Sequence, residues 1–350
     1  MARKHLKVLC LLMAVMVFLL AGCQTQPPAT DPQEDVQTPE NRVLDASLME
    51  GKLACFFFDG DNDWSAAEEG EHSGDSVLFV LPDGTTIMYD CDTPNNGADI
   101  AYALKKLGIT KLDYFINSHP HIDHMGGFSI IARHVEIGEV IVSDLPIVEE
   151  GLNTPYYRKM MDIIEKKGIK LAKVLEGETL QFGEMTAKVF NPPADFDPNK
   201  TNYNESSLVI RFSWKNASFL LGGDAGNNPN MGQKTEGIIL EKYGDELKSD
   251  IAKLNHHGEP STQSQSTEWL DHVGAKLYVG CMSAIPNDVE HFRLMKEFGE
   301  RGATYMHTAL EGTVLITTSG DGAYDVYVEQ LRPNDYYGSL ELTDGSMHIG

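Results

Sequence analysis

The chain is poor in cysteine, in clustered positive charge and in long apolar runs. It has five cysteines in 350 residues, and two of them, Cys10 and Cys23, lie close to the N-terminus. The other three, Cys55, Cys91 and Cys281, allow at most one internal bridge, which excludes a disulfide-built scaffold; they read as buried thiols. Lys and Arg number 28 against 52 Asp and Glu, and no run of basic residues announces a groove for a polyanion. Such a balance opposes non-specific binding to long nucleic acid, which depends on cations neutralising phosphates. No Gly-Lys-Ser/Thr follows the glycine clusters, so a phosphate loop is excluded and no nucleotide cofactor is expected. There is no internal repeat, and Trp64, Trp214 and Trp269 read as packing residues.

The apolar run VLCLLMAVMVFLL is too short for a comfortable membrane span. It follows the basic MARKHLK and precedes LLAGC, so residues 1–22 read as a signal peptide. LLAGC resembles a bacterial lipobox, which makes Cys23 the lipid attachment site and places the protein outside the cytoplasm, anchored to the membrane. Residues 23–47, rich in Pro, Gln, Thr and acids, read as a disordered tether. Loss of Arg3, Lys4 and Lys7 with the signal leaves 25 basic against 52 acidic residues, a charge of −27. Residues 48–331 are expected to form one domain with a sizeable core, followed by a tail over 332–350.

Within the domain, ACFFFD and SVLFVLPDGTTIMYD read as three strands, the last two joined at PDG. The acidic stretch 59–74 between them reads as a surface insertion, with a lid over the site as the other reading. ADIAYALKKLGI, YYRKMMDIIEKKGI, EGIILEKYG and HFRLMKEFGERG have helical periodicity. KLDYFIN, EVIVSD, KLAKVL, MTAKVFNPP, SLVIRFSW, ASFLLGGD, SDIAKLN, KLYVGCM and TVLITTSGDG read as strands. Strand-rich halves separated by helices imply two packed sheets with helices outside.

The decisive stretch is SHPHIDHMGG, which puts His119, His121, Asp123 and His124 in the loop between the strand KLDYFIN and a helix. Imidazole and carboxylate together suit divalent zinc, manganese or iron. HxHxDH holds too many ligands for one open ion and suits two side by side. Asp224 in FLLGGDAG and the His256–His257 pair in IAKLNHHGE add ligand-like groups after apolar strands. A carboxylate at a strand end can bridge two ions, and a late histidine can complete one. The glycines of HMGG and LLGGDAG read as sites of tight turning and close backbone approach.

This motif order resembles the metallo-β-lactamase superfamily. FFFDGD, GDSVLFVLPDGTTIMYD, SHPHIDHMGG, NPP, NESSLVIRF, FLLGGDA and KLNHHGE are similar to the C-terminal hydrolase domain of ComEC-type DNA-uptake proteins, and to choline-phosphate esterases. The likeness runs from about Ala54 to Asp321. It implies an α+β, αββα sandwich of two packed mixed β-sheets flanked by helices. It also implies that His119 and His121 hold a first ion, and that Asp123, His124 and one histidine of the HHG pair hold a second. Asp224 would bridge the two, and Asp90 would fix a ligand or the loop by hydrogen bonding. His257 is the favoured ligand of the pair, with His256 either supporting the ligands from behind or facing the substrate, an order that sequence leaves open. Where the superfamily commonly offers a third histidine to the first ion, this chain has NYNESS, which places Asn204 there. An amide is a poor zinc ligand beside imidazole, which implies a first site that is weaker, completed by water, or selective for a harder ion such as manganese. His291 departs from the branch's His-Pro and is a candidate for touching substrate or donating a proton.

The implied activity is hydrolysis by a dinuclear metal-bound hydroxide, with Asp123, His256 and His291 as the catalytic set and a phosphodiester of wall polymer or nucleic acid as substrate. Other readings are a β-lactamase, another amide or ester hydrolase, and a non-catalytic polymer-binding or DNA-uptake accessory lipoprotein.

Overall fold

A computed structural model describes residues 43–59, 74–145, 154–197, 203–259, 262–282, 289–330 and 346–350, without the side chains of 154 and 289–292. The signal peptide, Cys23, most of the tether and nearly all of the acidic 59–74 stretch, with Trp64, lie outside the described residues.

Strands β1 (Leu53–Phe57), β2 (Val77–Val80), β3 (Thr86–Tyr89), β4 (Lys111–Ile116), β5 (Glu136–Ser143) and β6 (Lys170–Val174) follow helix-free or helix-linked connections in chain order. They share a sheet with β14 (Val314–Thr318), β15 (Tyr324–Val328) and β16 (Ser346–Ile349), in the order β16-β15-β14-β1-β2-β3-β4-β5-β6. The second sheet runs β13-β12-β11-β10-β9-β8-β7. It is built from β7 (Thr179–Phe182), β8 (Met185–Asn191), β9 (Val209–Trp214), β10 (Ala217–Leu221), β11 (Ile251–Lys253), β12 (Leu277–Gly280) and β13 (Thr304–His307). Strands β3 to β6 are mutually parallel, as are β10 to β13, and the other pairings are antiparallel, so both sheets are mixed.

Period-two alternation explains the layering. In β1, Leu53, Cys55 and Phe57 enter the core between the sheets, while Ala54 and Phe56 face the outer helices. In β10, Ala217, Phe219 and Leu221 enter the same central core and Leu220 faces outward. Helices α1 (Gly97–Lys106), α3 (Phe128–His134) and α4 (Thr154–Lys167) cover the first sheet. Helices α5 (Thr235–Tyr243), α6 (Thr267–Val273) and α7 (Val289–Arg301) cover the second. Helix α2 is the single turn Ile122–Met125, and α8 is another, Thr308–Glu311. The result is the expected αββα sandwich.

Ordered structure is present close to both ends of the 48–331 segment. Val43 is buried in the outer core of the first sheet, and the Asp45 side chain accepts from Ser47 N at the turn Ala46–Met49. Near the C-terminus, Ser346–Ile349 pairs antiparallel with β15, and Met347 packs on the core. Strands β7, β13 and β15 and helix α6 were not read from the sequence. Cys55, Cys91 and Cys281 are buried free thiols, and Trp214 and Trp269 are packing residues, as expected. Among the described residues no helix is long and apolar enough to cross a membrane.

Candidate metal centre

The loops after β3, β4, β10 and β11 leave the sheets at the ends where parallel strands finish, the usual place for sites in such sheets. They carry Asp90, the HxHxDH cluster, Asp224 and the HHG pair. Close backbone approach lets them converge. A Cβ on Gly127 would stand 2.2 Å from Cys91 O, so only glycine fits between the loops after β3 and β4. Gly223, at φ +51°, turns the chain ahead of Asp224, and a Cβ there would meet Ser118 Cβ and Ser207 Oγ at 2.9 Å.

Asp224 sits at the middle. Its Oδ2 lies 3.6 Å from His119 Nε2 and 3.4 Å from His256 Nε2. Its Oδ1 lies 3.1 Å from His124 Nε2 and 3.5 Å from His257 Nε2. Asp123 Oδ2 closes the second side, 3.2 Å from His257 Nε2 and 3.6 Å from His124 Nε2. On the first side, donor atoms of His119, His121 and Asp224 all lie within 4.8 Å of one another. His256 stands beside that trio and outside it, with 15% of its side chain exposed. Asn204 Nδ2 is 3.4 Å from His256 Nε2, while its own Oδ1 is buried without a hydrogen-bond partner among the described residues.

The outer hydrogen bonds set the ring states. Asp90, at φ +57° after β3, accepts from Ser118 N at 2.7 Å and from His124 Nδ1 at 2.8 Å. Asp75 Oδ1 faces His257 Nδ1 at 3.0 Å. Ser118 Oγ lies 3.0 Å from His119 Nδ1, and Ser207 Oγ accepts from Asp224 N at 2.9 Å. With each Nδ1–H directed at an oxygen, a neutral ring turns its Nε2 lone pair toward Asp224 and Asp123. Lone pairs facing carboxylate oxygens at such distances call for a cation between them. Among the described residues, His119 Nε2, His124 Nε2 and Asp224 Oδ1 are buried and meet no group in hydrogen-bonding geometry, His124 Nε2 and Asp224 Oδ1 merely facing each other, so the residues fit divalent ions on both sides of Asp224.

The proton affinities report the same field. Burial alone would lower His257, but Asp224, Asp75 and Asp123 push it up to about 10. Burial likewise opposes charge on His124, and Asp224, Asp123 and Asp90 outweigh it, holding the ring well above its ordinary value. His119, buried beside His124 and His121, is held well below. Burial would raise Asp224, yet His124, His256 and His257 keep its carboxyl well below the usual range. Carboxylates that draw protons so strongly onto buried imidazoles draw a divalent cation by the same attraction.

The structure thus gathers His119, His121, Asp123, His124, Asp224, His256, His257, Asn204 and Asp90. It gathers two residues that sequence reasoning left out, Asp75 and Lys253. Lys253 was visible as a lone charge ending an apolar strand, and Asp75 as the acid of GDSVLFV. His291 lies in α7, but its side chain is outside the described residues.

Two mixed sheets between helices, with this centre at one edge, are the arrangement that the resemblance to the metallo-β-lactamase superfamily implies. The sequence model described as "Metallo-beta-lactamase superfamily" matches residues 70–180, which include the HxHxDH cluster; Asp224 and the HHG pair lie beyond the match. The chain is 26% identical to "ComE operon protein 3" of Bacillus subtilis (strain 168) over 184 residues, 53% of this chain and 21% of that protein. It is 24% identical to "Competence protein ComA" of Neisseria gonorrhoeae over 240 residues, 68% of this chain and 29% of that protein. The chain therefore spans less than a third of either relative's length. Among solved structures it is similar to the metallo-beta-lactamase fold protein YhfI from Bacillus subtilis, at 15% identity, covering 73% of this chain and 95% of that one, with a TM-score of 0.46.

Proposed function

We propose that the protein is a metal-dependent hydrolase of phosphodiesters working with two divalent ions, zinc or manganese. His119, His121 and Asp224 would hold the first, and Asp123, His124, Asp224 and His257 the second. The observation that carries this reading is the division of Asp224, whose two oxygens face two separate histidine sets. Such a pair of ions supplies Lewis acidity and lowers the pKa of water toward neutrality.

The chain's own groups do the rest. Asp90 and Asp75 keep His124 and His257 turned with Nε2 inward. Ser207 fixes the backbone of Asp224. His256, held beside Asp224 Oδ2 and partly open to solvent, is the group placed to protonate a leaving alkoxide. Asn204 steadies that ring through its amide. His291 is the second candidate for proton donation. An amide in the place where the superfamily commonly offers a third imidazole favours a phosphodiester over a β-lactam, and a harder ion over zinc.

The residues ahead of Val43 fit a lipoprotein signal over 1–22 and a tether from Cys23, which would hold the domain at the outer face of a bacterial membrane. Wall polymer and incoming nucleic acid are both phosphodiesters available there.

Turnover of bis-p-nitrophenyl phosphate with added manganese or zinc tests the reading, with an Asp123→Ala/His124→Ala variant expected to be inactive. Nitrocefin turnover without phosphodiester turnover would instead assign a β-lactamase. Binding of wall material or DNA without turnover under any metal would assign a non-catalytic accessory lipoprotein.

A further inference from the structure

Two buried charged groups in the centre are used by no ligand assignment. Asp75 precedes β2 and Lys253 ends β11, and both side chains are fully buried. Lys253 Nζ lies 2.5 Å from Asp75 Oδ2, donates to Leu254 O at 2.7 Å and donates to Gly223 O at 3.3 Å. Two of the ammonium's hydrogens go to those backbone carbonyls, and its charge is held against the Asp75 carboxylate as a buried ion pair. Gly223 leads directly into Asp224, and Leu254 leads into the HHG turn, so one cation ties together the loops that carry Asp224 and His257.

The other oxygen of Asp75 completes the chain. Asp75 Oδ1 faces His257 Nδ1 at 3.0 Å, and across the ring His257 Nε2 faces Asp123 Oδ2 at 3.2 Å. A carboxylate paired with an ammonium accepts and does not donate, so it selects the ring form with a proton on Nδ1 and a lone pair on Nε2. Asp75 also lies within 4.8 Å of donor atoms of His124, Asp224 and His257, close enough to be read as a ligand. Both its oxygens are already committed, one to Lys253 and one to His257, whereas Asp123 Oδ2 faces the Nε2 atoms themselves.

We propose that Lys253 and Asp75 form a positioning pair for the second cation site, in which Lys253 fixes Asp75 and Asp75 fixes the tautomer and orientation of His257. The inference rests on the dinuclear reading above and extends it to the residues that shape one half of the centre. A pair that merely filled space would be replaceable by neutral groups of similar volume without effect on the metal.

Zinc and cobalt(II) binding to the full chain, measured by chelator competition, separates these cases. The proteins compared are the parent, Asp75→Asn, Lys253→Met and the double variant. The first ion is expected to bind within about twofold of the parent in all of them, and the second to bind ~10–100-fold more weakly in both single variants. The visible spectrum of the second cobalt ion should change. The double variant should be no worse than the poorer single, because both residues act through His257. Asp75→Asn keeps the shape of the side chain and serves as the test if Lys253→Met does not fold by circular dichroism.

A folded variant that binds both ions with parental affinity overturns the inference and leaves the dinuclear reading standing. Equal weakening of both ions, or losses that multiply in the double variant, also overturns it. A parent protein that binds a single cation overturns both.

Discussion

At the scale of single residues, His256 and His257 make the centre costly to build. They stand consecutively in left-handed backbone, at φ +47° and φ +58°. That conformation costs a side-chain-bearing residue about 1–2 kcal/mol each. The turn aims both rings at Asp224, His256 toward Oδ2 and His257 toward Oδ1, from neighbouring positions. Glycine is free of this strain, so His256→Gly should raise the stability of the metal-free protein by about 1 kcal/mol in urea unfolding. The same change should sharply lower phosphodiester turnover if His256 donates the proton. A less stable variant with full turnover would remove both the strain argument and the assigned role.

At the scale of elements, the centre depends on loops packed backbone to backbone. Gly127, between α2 and α3, is the tightest of these contacts, against Cys91 O, and a Cβ on Gly97 would in turn stand 2.7 Å from Gly127 Cα. Gly127→Ala should therefore destabilise the protein by ~2–4 kcal/mol, read as a lower urea midpoint; an unchanged midpoint would mean that the loops can part without cost. Glu236 of α5 anchors the HHG turn from beneath. It accepts from Gln265 N at 2.7 Å, Asn255 Nδ2 at 2.9 Å and Ser266 N at 3.2 Å. Burial outweighs these donors and pushes its carboxyl from 4.5 up to about 7. The folded protein then keeps this proton where the unfolded chain has released it. Its contribution to stability is complete below about pH 4.5 and is lost as pH rises through about 7. Against a Glu236→Gln reference, the parent should lose stability across that window, and parallel pH profiles would contradict the assignment. How much of this was legible follows from how the chain supplies each part. HxHxDH lies in one loop, and Asp224 and HHG each follow an apolar strand, so local pattern reveals them. Asp75, just ahead of β2, and Lys253, at the end of β11, meet across the fold, and no local spacing announces such a pair. Strand β7, TLQF, has only Phe182 fully buried, and helix α6, TEWLDHV, spans seven residues, so neither carries enough periodicity to be read. Strand β16 follows residues that lie outside the described set, and little in SMHI marks it apart from its pairing with β15.

At the scale of the whole molecule, the catalytic proposal and the surface charge pull in different directions. The proposed substrate is an anionic phosphodiester, yet the chain carries a formal charge of −24. A polyanion approaching such a molecule meets repulsion at distances up to about a Debye length, roughly 10 Å at 0.1 M salt. A small monoanionic diester feels the same field far less, because the interaction scales with its charge. Ionic strength therefore distinguishes the substrates that the site accepts from those that the surface permits. For bis-p-nitrophenyl phosphate, kcat/KM should be nearly flat as salt rises from low to physiological strength. For duplex DNA, if it is cut at all, kcat/KM should rise over that range as salt screens the repulsion. A zwitterionic choline-phosphate diester should behave like the small anion. A rate on DNA that falls steeply with salt would be the signature of counterions released from phosphates by Lys and Arg. It would require a basic track that the composition does not suggest, and it would make long nucleic acid the natural substrate in place of the shorter or zwitterionic esters that the charge favours.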